Sequence, residues 1–320
     1  MKKFIFIGAT VLAMIVAPCL CTAASAGVTT STSQPAATQA STEYTKCKFN
    51  CTDFTGLELS GVVDVTLSKS NAYKVEVTLP SELQDYLLVW VKNGVLKIGW
   101  NKEIPSRIQK KLGNWTCKAV VSMPELRKLD MSGATRLRCD DTFDLGNFDF
   151  SLDLSGAANL ETLNVNANEL EAEISGACGY KIAGGFREAD IELSGASNGN
   201  LSINADKLDL EISGACKARL AGDSRKASVD ASGACELYIE GTIGKLEVDA
   251  SGASKIHAME ANVEEAVLET SGACRCDVNV SRSIMIEDAT GASSINYKAP
   301  KDLGVMIKSI GRSASVKRVN

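Results

Sequence analysis

The chain has few aromatic side chains, a single histidine and no surplus of positive charge. Of its 320 residues, 5% are Phe, Trp or Tyr, and 34 Lys and Arg stand against 39 Asp and Glu. A formal charge of −5 argues against a protein that binds nucleic acid through its phosphates. One histidine excludes metal sites built from several histidines. Because 45% of the residues are hydrophobic, a folded core is expected rather than wholesale disorder.

Long apolar runs are also missing, apart from one near the N-terminus. Two lysines, an apolar run at 4–17 and small residues at 24–26 predict that residues 1–26 are a secretory signal peptide. The run is shorter than the roughly 20 residues of a membrane-spanning helix, so no transmembrane segment is expected in the mature chain. A lipid anchor at Cys19 is the alternative, although Pro18 stands where a small residue is expected.

The rest of the chain divides into three predicted regions. Residues 27–46 are mostly Ser, Thr, Ala and Gln and predict a flexible linker. Residues 47–125 do not repeat, and they predict an α+β cap with strands near 62–67 and 73–78, a short helix at 80–86 and a hairpin turn at Asn93–Gly94. Gly61 lies in a diverged first copy of the unit that repeats over residues 126–320.

The tripeptide Ser-Gly-Ala, or a close variant, recurs through this last region. The first step between its glycines is 23 residues and every later step is 19 or 20. Such regularity indicates stacked structural units. The glycines are Gly133, Gly156, Gly176, Gly195, Gly214, Gly233, Gly252, Gly272, Gly291 and Gly311.

Within each unit, apolar and polar residues alternate with the period of a strand. Around Gly214, the residues at even distances are apolar or small: Leu208, Leu210, Ile212, Cys216, Ala218 and Leu220. A unit this short cannot bury its apolar face alone, so successive coils must stack about 4.8 Å apart. The prediction is an all-β fold, a single-stranded parallel β-helix of about ten coils of 19–20 residues, right-handed, with an N-terminal α+β capping segment.

The repeated glycines are predicted to be structural. We expect each to face inward at a corner, where a side chain would meet the opposing wall or the backbone needs a positive φ. The glycines assigned this role are Gly133, Gly156, Gly176, Gly195, Gly214, Gly233, Gly252, Gly272 and Gly291.

Stacking turns each position of the unit into a column, and the column three residues before the glycine is entirely acidic. It contains Asp130, Asp153, Glu173, Glu192, Glu211, Asp230, Asp249, Glu269 and Asp288. The favoured interpretation is that neighbouring Lys and Arg relieve the repulsion and that the charges discourage aggregation. The alternative is a calcium ladder. Its ligands would be Glu173, Glu192, Glu211, Asp230, Asp249 and Glu269. No catalytic residue and no other cofactor is expected.

A second column, two residues after the glycine, contains only small residues and predicts an interior slot. Four of them are cysteines, and Cys216 with Cys235 is the one adjacent pair for which a disulfide is considered. Cys274 and Cys276 share a face but lack the further ligands that zinc requires. The only histidine, His257, falls at an outward position and needs no role.

The recurrent Ser-Gly-Ala, the opening segment 54–67, the Val-Leu-Lys-Ile segment at 95–98 and the segment 121–129 that leads into the first unit resemble the GIN-domain family. That family is described as an autotransporter adhesin head domain of exported bacterial proteins. The resemblance covers residues 47–320. It implies a β-helical protein of the cell surface or periplasm with an adhesive role, and it brings no catalytic residues.

The function expected from these observations is that of an exported, non-enzymatic, adhesin-like binding or structural module. Its partner would be a surface protein or a glycan, and β-helix edges offer a route to oligomers. The destination would be the periplasm, the outer-membrane surface or the extracellular space. The alternatives are a glycan-binding or glycan-processing envelope protein and a calcium-binding scaffold. Few aromatic residues and coils almost without insertions disfavour an enzyme.

Overall fold

The computed structural model describes residues 42–101 and 103–319. The predicted signal peptide (1–26), the lipid-anchor position Cys19 and all but the end of the predicted linker lie outside these residues. The first strand begins at Tyr44, three residues inside the region predicted as linker. Among the described residues, no helix is long and apolar enough to span a bilayer.

Nearly all of the regular structure is β-strand. One 3₁₀ helix (Ser81–Tyr86) and one α-helix, α1 (Ser106–Leu112), lie in the N-terminal part. The strands are β1 (Tyr44–Phe49), β2 (Gly56–Leu59), β3 (Asp64–Lys69), β4 (Lys74–Pro80), β5 (Leu87–Lys92), β6 (Val95–Trp100), β7 (Lys118–Met123), β8 (Lys128–Met131), β9 (Arg136–Asp144), β10 (Phe150–Leu154), β11 (Asn159–Ile174), β12 (Gly179–Leu193), β13 (Asn198–Ile212), β14 (Lys217–Ala221), β15 (Ser224–Ala231), β16 (Glu236–Ala250), β17 (Lys255–Thr270), β18 (Arg275–Ala289), β19 (Ser294–Lys298), β20 (Val305–Ile307) and β21 (Ser315–Arg318).

The strands pair in two rows, one before and one after the glycine turns. The row before the turns runs β5-β6-β2-β8-β10-β11-β12-β13-β15-β16-β17-β18-β20. The row after them runs β1-β4-β7-β3-β9-β11-β12-β13-β14-β16-β17-β18-β19-β21. All pairings are parallel except β1 with β4, β4 with β7 and β5 with β6. The predicted all-β parallel solenoid of about ten coils is confirmed.

The interior is built by the predicted alternation. Leu208, Leu210 and Ile212 before Gly214, and Cys216 and Ala218 after it, are each at most 1% exposed. The residues between them point outward, because successive side chains of a strand lie on opposite faces. The interior is therefore a continuous stack of aliphatic and small side chains.

The glycine turns differ from the prediction in their direction. Column glycines such as Gly133 and Gly214 are exposed, so the expectation that they face inward is wrong. Their positive φ is the feature that requires glycine, since it lies between +67° and +89° at all nine positions from Gly133 to Gly291. The three-residue turn keeps both Ile212 and Cys216 inside while the glycine between them projects outward.

A second requirement for glycine comes from the coil below. The amide of Ala215 donates a hydrogen bond of 2.8 Å to the carbonyl of Gly195, so the backbone ladder continues through the turn. A Cβ atom added to Gly214 would stand 2.4 Å from that same carbonyl oxygen. Cβ atoms in proteins essentially never approach another heavy atom this closely, and the acceptor is backbone that cannot rotate away.

The members of the glycine column also differ from those that spacing suggested. Gly61, with φ of +84°, is its first member, because a Cβ on Gly133 would stand 2.8 Å from the Gly61 carbonyl oxygen. Gly311 is not a member, since a Cβ there would meet Ala289 and Thr290 and not Gly291. The column thus starts inside the N-terminal region, where β2 and β3 form the first coil.

The N-terminal end of the solenoid is closed by antiparallel strands. The predicted hairpin is present, with Asn93 and Gly94 both at positive φ between β5 and β6. The predicted short helix is the 3₁₀ helix, whereas α1 was not foreseen. Trp100 and Trp115 pack edge to face, with ring centroids 5.5 Å apart.

We predict that Gly214→Ala lowers the free energy of unfolding much more than Gly146→Ala. Gly146 also has a positive φ, of +61°, but an added Cβ there meets no atom within 4 Å. Gly146→Ala should therefore cost about 1–2 kcal/mol, the cost of placing a side chain in the left-handed region. Gly214→Ala adds a collision with backbone and should cost about 3 kcal/mol or more.

Chemical denaturation of both purified variants measures the difference. Equal losses would mean that φ alone explains the glycines, and that turn-on-turn contact does not.

Candidate binding surface

The acidic column is longer than the sequence repeat indicated. Glu58, in the first coil, pairs in register with Asp130, and each later carboxylate pairs with the next coil in turn. The acidic column is Glu58, Asp130, Asp153, Glu173, Glu192, Glu211, Asp230, Asp249, Glu269 and Asp288. Strand spacing places neighbouring members about 4.8 Å apart along the solenoid.

Almost none of these carboxylates has a cationic partner. Glu58 pairs with Lys97, but none of the other nine forms an ion pair among residues 42–101 and 103–319. The nearby lysines are occupied elsewhere: Lys207 contacts Asp209 at 2.5 Å, and Lys226 and Lys245 contact Glu247 at 2.8 and 2.6 Å. The expectation that Lys and Arg relieve the column is therefore wrong. Each of these lysines lies four residues before a member of the acidic column. It pairs with the column that lies between them, which contains Asp209 and Glu247.

The missing partners are reflected in the titration of the column. Burial, followed by the carboxylates of Glu211 and Glu173, raises the pKa of Glu192 above its usual range. Burial and then Asp249 raise the pKa of Asp230 in the same way. Burial, followed by the carboxylate of Asp153, also raises the pKa of Asp130. The folded state thus holds these groups where ionisation is less favourable than in water.

A row of hydroxyl groups runs beside the carboxylates. The residue before each column glycine is Ser60, Ser132, Ser155, Ser175, Ser194, Ser213, Ser232, Ser251, Ser271 or Thr290. Between the two rows, the members from Glu192 to Asp249 line a shallow groove of about 240 Å³. We call the acidic column and this hydroxyl row the acidic face. It offers the same hydrogen-bonding groups once in every coil.

The acidic face does not contain a ready-made metal centre. In the described part of the chain, no group of three or more His, Cys, Asp or Glu side chains is placed to hold a metal ion. The members of the predicted calcium ladder, from Glu173 to Glu269, project outward in a line and do not converge on a point. Calcium generally requires six to eight oxygen ligands around one centre.

The small-residue slot lies inside, as predicted, and has a bonding role. Cys178, Cys216 and Cys235 are at most 2% exposed, and each thiol lies 3.0–3.1 Å from the carbonyl of the serine that opens its own turn. Ser254 makes the same contact at 2.9 Å. Cys216 and Cys235 are both free thiols, so they are not bridged to each other. Burial raises the pKa of the Cys235 thiol, which keeps the proton that this bond needs.

His257 lies in a polar cluster that the sequence did not reveal. Its ring stacks on Tyr238 at 4.7 Å, and its Nδ1 is 3.4 Å from the buried carboxylate of Asp277. Arg275 and Asn296 donate to the same carboxylate at 2.8 and 2.7 Å. Tyr238, His257 and Asp277 come together because they occupy the same position in three consecutive coils. The residues next to His257 in the sequence give no sign of this cluster.

A groove of about 730 Å³ lies where the chain returns between the two rows. Asn204 accepts a hydrogen bond from the amide of Asp223, whose own carboxylate accepts from the amide of Thr242, at 2.9 and 2.8 Å. Arg225 and Asp206 form an exposed ion pair at its edge. The groove is open to solvent, and its lining combines these polar side chains with a larger apolar surface.

We predict that neutralising three members of the acidic column raises the melting temperature at neutral pH. The acidic-face variant is Glu192→Gln, Glu211→Gln and Asp230→Asn, and its matched control is Glu43→Gln, Glu103→Gln and Glu260→Gln, all exposed and without ion pairs among the described residues. Removing a carboxylate neighbour at about 4.8 Å relieves roughly 1 kcal/mol of repulsion in water. The acidic-face variant should therefore melt a few degrees higher than the control.

The pH dependence has a defined sign. A raised folded-state pKa means that the folded protein binds protons more tightly, so stability rises as the pH falls from 7 toward the ordinary carboxylate pKa values of 3.8–4.5. Below that range, stability falls because ion-paired groups such as Glu247, whose pKa the lysines lower, become protonated. The acidic-face variant should lose the initial rise.

Calcium at constant ionic strength should leave the wild-type melting temperature unchanged, and a calcium-dependent increase absent from the variant would contradict this account.

Comparison with known proteins identifies the fold and the family of the chain. No curated protein matches the chain. A solved structure of a putative adhesin from Parabacteroides merdae ATCC 43184 is 18% identical, with a match that covers 88% of this chain and 98% of that one at a TM-score of 0.52. At this identity the likeness shows the fold.

Two structures from Parabacteroides distasonis ATCC 8503 give lower scores. A putative adhesin is 20% identical over 87% of this chain and 98% of its own, with a TM-score of 0.48. A putative lipid binding protein is 18% identical over 88% and 98%, with a TM-score of 0.44. The family described as "Putative auto-transporter adhesin, head GIN domain" matches residues 53–202 and 198–300. The chain therefore belongs to this GIN-domain family.

Proposed function

We propose that the protein is an exported, non-enzymatic binding module of the adhesin type that holds its partner on the acidic face. The observation that carries this proposal is the line of nine carboxylates without cationic partners among the described residues, in register beside a row of hydroxyls. Such a line repels itself and is retained at a cost to stability. A binding role gives a reason for retaining it.

The partner best suited to this face is a surface protein or glycan that carries repeated positive charge. Its cationic groups would replace the neutralisation that the chain's own lysines do not supply, since those lysines pair with Asp209 and Glu247. A rigid solenoid holds its outward groups at a fixed spacing, so little conformational entropy is lost when a long partner binds. Membership of a family described as adhesin heads, and not as enzymes, supports a role without catalysis.

Glycan binding is the second candidate, and the 730 Å³ groove favours it. Asp223, Thr242 and Arg225 line the groove, and such side chains bind sugar hydroxyls through paired hydrogen bonds. The tryptophans give it little support, because Trp115 packs on Trp100 and lysines lie over the ring of Trp90. Glycan-array binding lost in Asp223→Ala but kept in the acidic-face variant would favour this candidate.

We predict that the acidic-face variant loses binding to cationic surface ligands while its matched control keeps it. Purified wild type, acidic-face variant and control would be applied to arrays of surface proteins and glycans at low and high salt. Binding by wild type and control should weaken as salt rises, because the contacts are between exposed charges. Unchanged binding by the acidic-face variant would contradict the proposal.

The location is tested separately by protease shaving of intact cells that produce the full chain. Cleavage without lysis is expected for a protein at the cell surface. Cleavage only after the envelope is opened would restrict the module to the periplasm and exclude binding to external surfaces.

A further inference from the structure

The C-terminal end of the solenoid carries an unusual concentration of exposed apolar side chains. Eight large hydrophobic residues in the described part of the chain are exposed, and four of them fall in its last fourteen residues: Met306, Ile307, Ile310 and Val319. Scattered single hydrophobic residues on a surface need no explanation, but a contiguous group marks an interaction site.

One outward column changes its chemistry toward this end. Five residues before the glycine, the middle coils carry Glu171, Asp190 and Asp209, which pair in register along the row. The same column continues through Ser228 and Glu247 to Val267, then Met285, then Met306. An outward face that is acidic or polar along the middle of the solenoid thus becomes apolar over its last three coils.

The core is also left open at this end. Ile286 is fully buried, whereas Ile307, which pairs with it in the next coil, is 45% exposed. Within residues 42–101 and 103–319, no further strand pairs with the outer edges of β20 and β21. The opposite end is closed by β1, β4 and the β5–β6 hairpin. The last described coil thus presents apolar side chains that no other described strand covers.

Charge distinguishes the partners that this end can accept. The C-terminal coil, residues 298–319, contains six Lys or Arg residues and one Asp, in a chain whose formal charge is −5. Of the exposed lysines and arginines, Lys301, Arg312 and Lys317 have no ion pair among the described residues, and Lys308 contacts Glu287 at 2.7 Å. The coil that carries the exposed apolar side chains is therefore also rich in exposed positive charge.

We propose that the C-terminal coil docks on an anionic lipid surface. Exposed apolar side chains together with Lys and Arg match the boundary between headgroups and acyl chains, where one kind of contact alone gives only weak binding. A second copy of the chain fits less well, because end-to-end contact would bring two sets of six positive charges together. This surface borders the last members of the acidic face, Asp288 and Thr290, and docking there would leave the middle of that face, from Glu192 to Asp249, uncovered.

Co-sedimentation with lipid vesicles tests the proposal on the full chain. Wild type is expected to bind vesicles of phosphatidylcholine mixed with phosphatidylglycerol, and to bind pure phosphatidylcholine vesicles at least tenfold more weakly. Arg312→Ser with Lys317→Ser should reduce binding by about 25-fold, at roughly fivefold for each charge. Met306→Ser with Ile310→Ser should reduce it strongly even at low salt.

The matched control is Val62→Ser with Val120→Ser, which removes two exposed apolar side chains far from the C-terminal coil. It should bind vesicles like wild type, and all variants should keep the wild-type melting transition and the binding properties of the acidic face. Equal binding to both kinds of vesicle would overturn the proposal. So would a dimer, measured by light scattering, that Met306→Ser with Ile310→Ser dissociates, or capture by poly-glutamate without vesicle binding.

Discussion

The backbone of each glycine turn lies directly on the backbone of the turn in the preceding coil. The amide that follows one glycine donates to the carbonyl of the glycine below, at 2.7–2.8 Å throughout the column. A Cβ atom on any glycine from Gly176 to Gly291 would stand 2.4–2.6 Å from the same acceptor. Because both rows of strands are joined through these turns, the register of the whole solenoid depends on this contact.

A fixed register converts local choices of side chain into columns. Inside, it limits the position after the turn to residues such as Cys216 and Ser254, whose side chains contact the turn carbonyl and leave room for the next coil. Outside, it places like charges beside one another, which an irregular surface would avoid. The stacking of like charges in the acidic column therefore lowers the stability of the fold. Lysines relieve such repulsion only in the neighbouring column, where Lys226 and Lys245 pair with Glu247.

Most of the fold follows from the sequence because the repeat is regular and the alternation is strict. The direction of the glycines could not be predicted in the same way. Ile212 and Cys216, two residues on either side of Gly214, are buried as the alternation predicts. The turn between them rotates the backbone, so Gly214 is exposed although it occupies an even position. The spacing of the repeat also predicts Gly311 as a member of the glycine column and gives less weight to Gly61. Spacing in the sequence does not show whether two turns are in contact. Helix α1 has no counterpart in the repeat.

The candidate surfaces were only partly visible in the sequence. The acidic column is a matter of position and was predicted member by member, apart from Glu58. Its lack of cationic partners depends on how far Lys207 and Lys226 reach, which only side-chain placement determines. The cluster of Tyr238, His257 and Asp277 brings together three different coils. The apolar change along the column that ends at Met306 becomes apparent only when strands are placed in register.

The central claim, that hydrogen bonding continues unbroken through the glycine turns, can be measured by amide hydrogen exchange in the native protein. Amides of interior turns, such as Ala215 and Ala234, donate within the ladder and should be protected as strongly as those of the flanking strands. At the Gly94 turn the carbonyl accepts from the amides of Thr55 and Gly56, but among the described residues the Gly94 amide itself donates no hydrogen bond to a stacked turn and should exchange quickly. Fast exchange at Ala215 and Ala234, comparable with that at Gly94, would contradict the account.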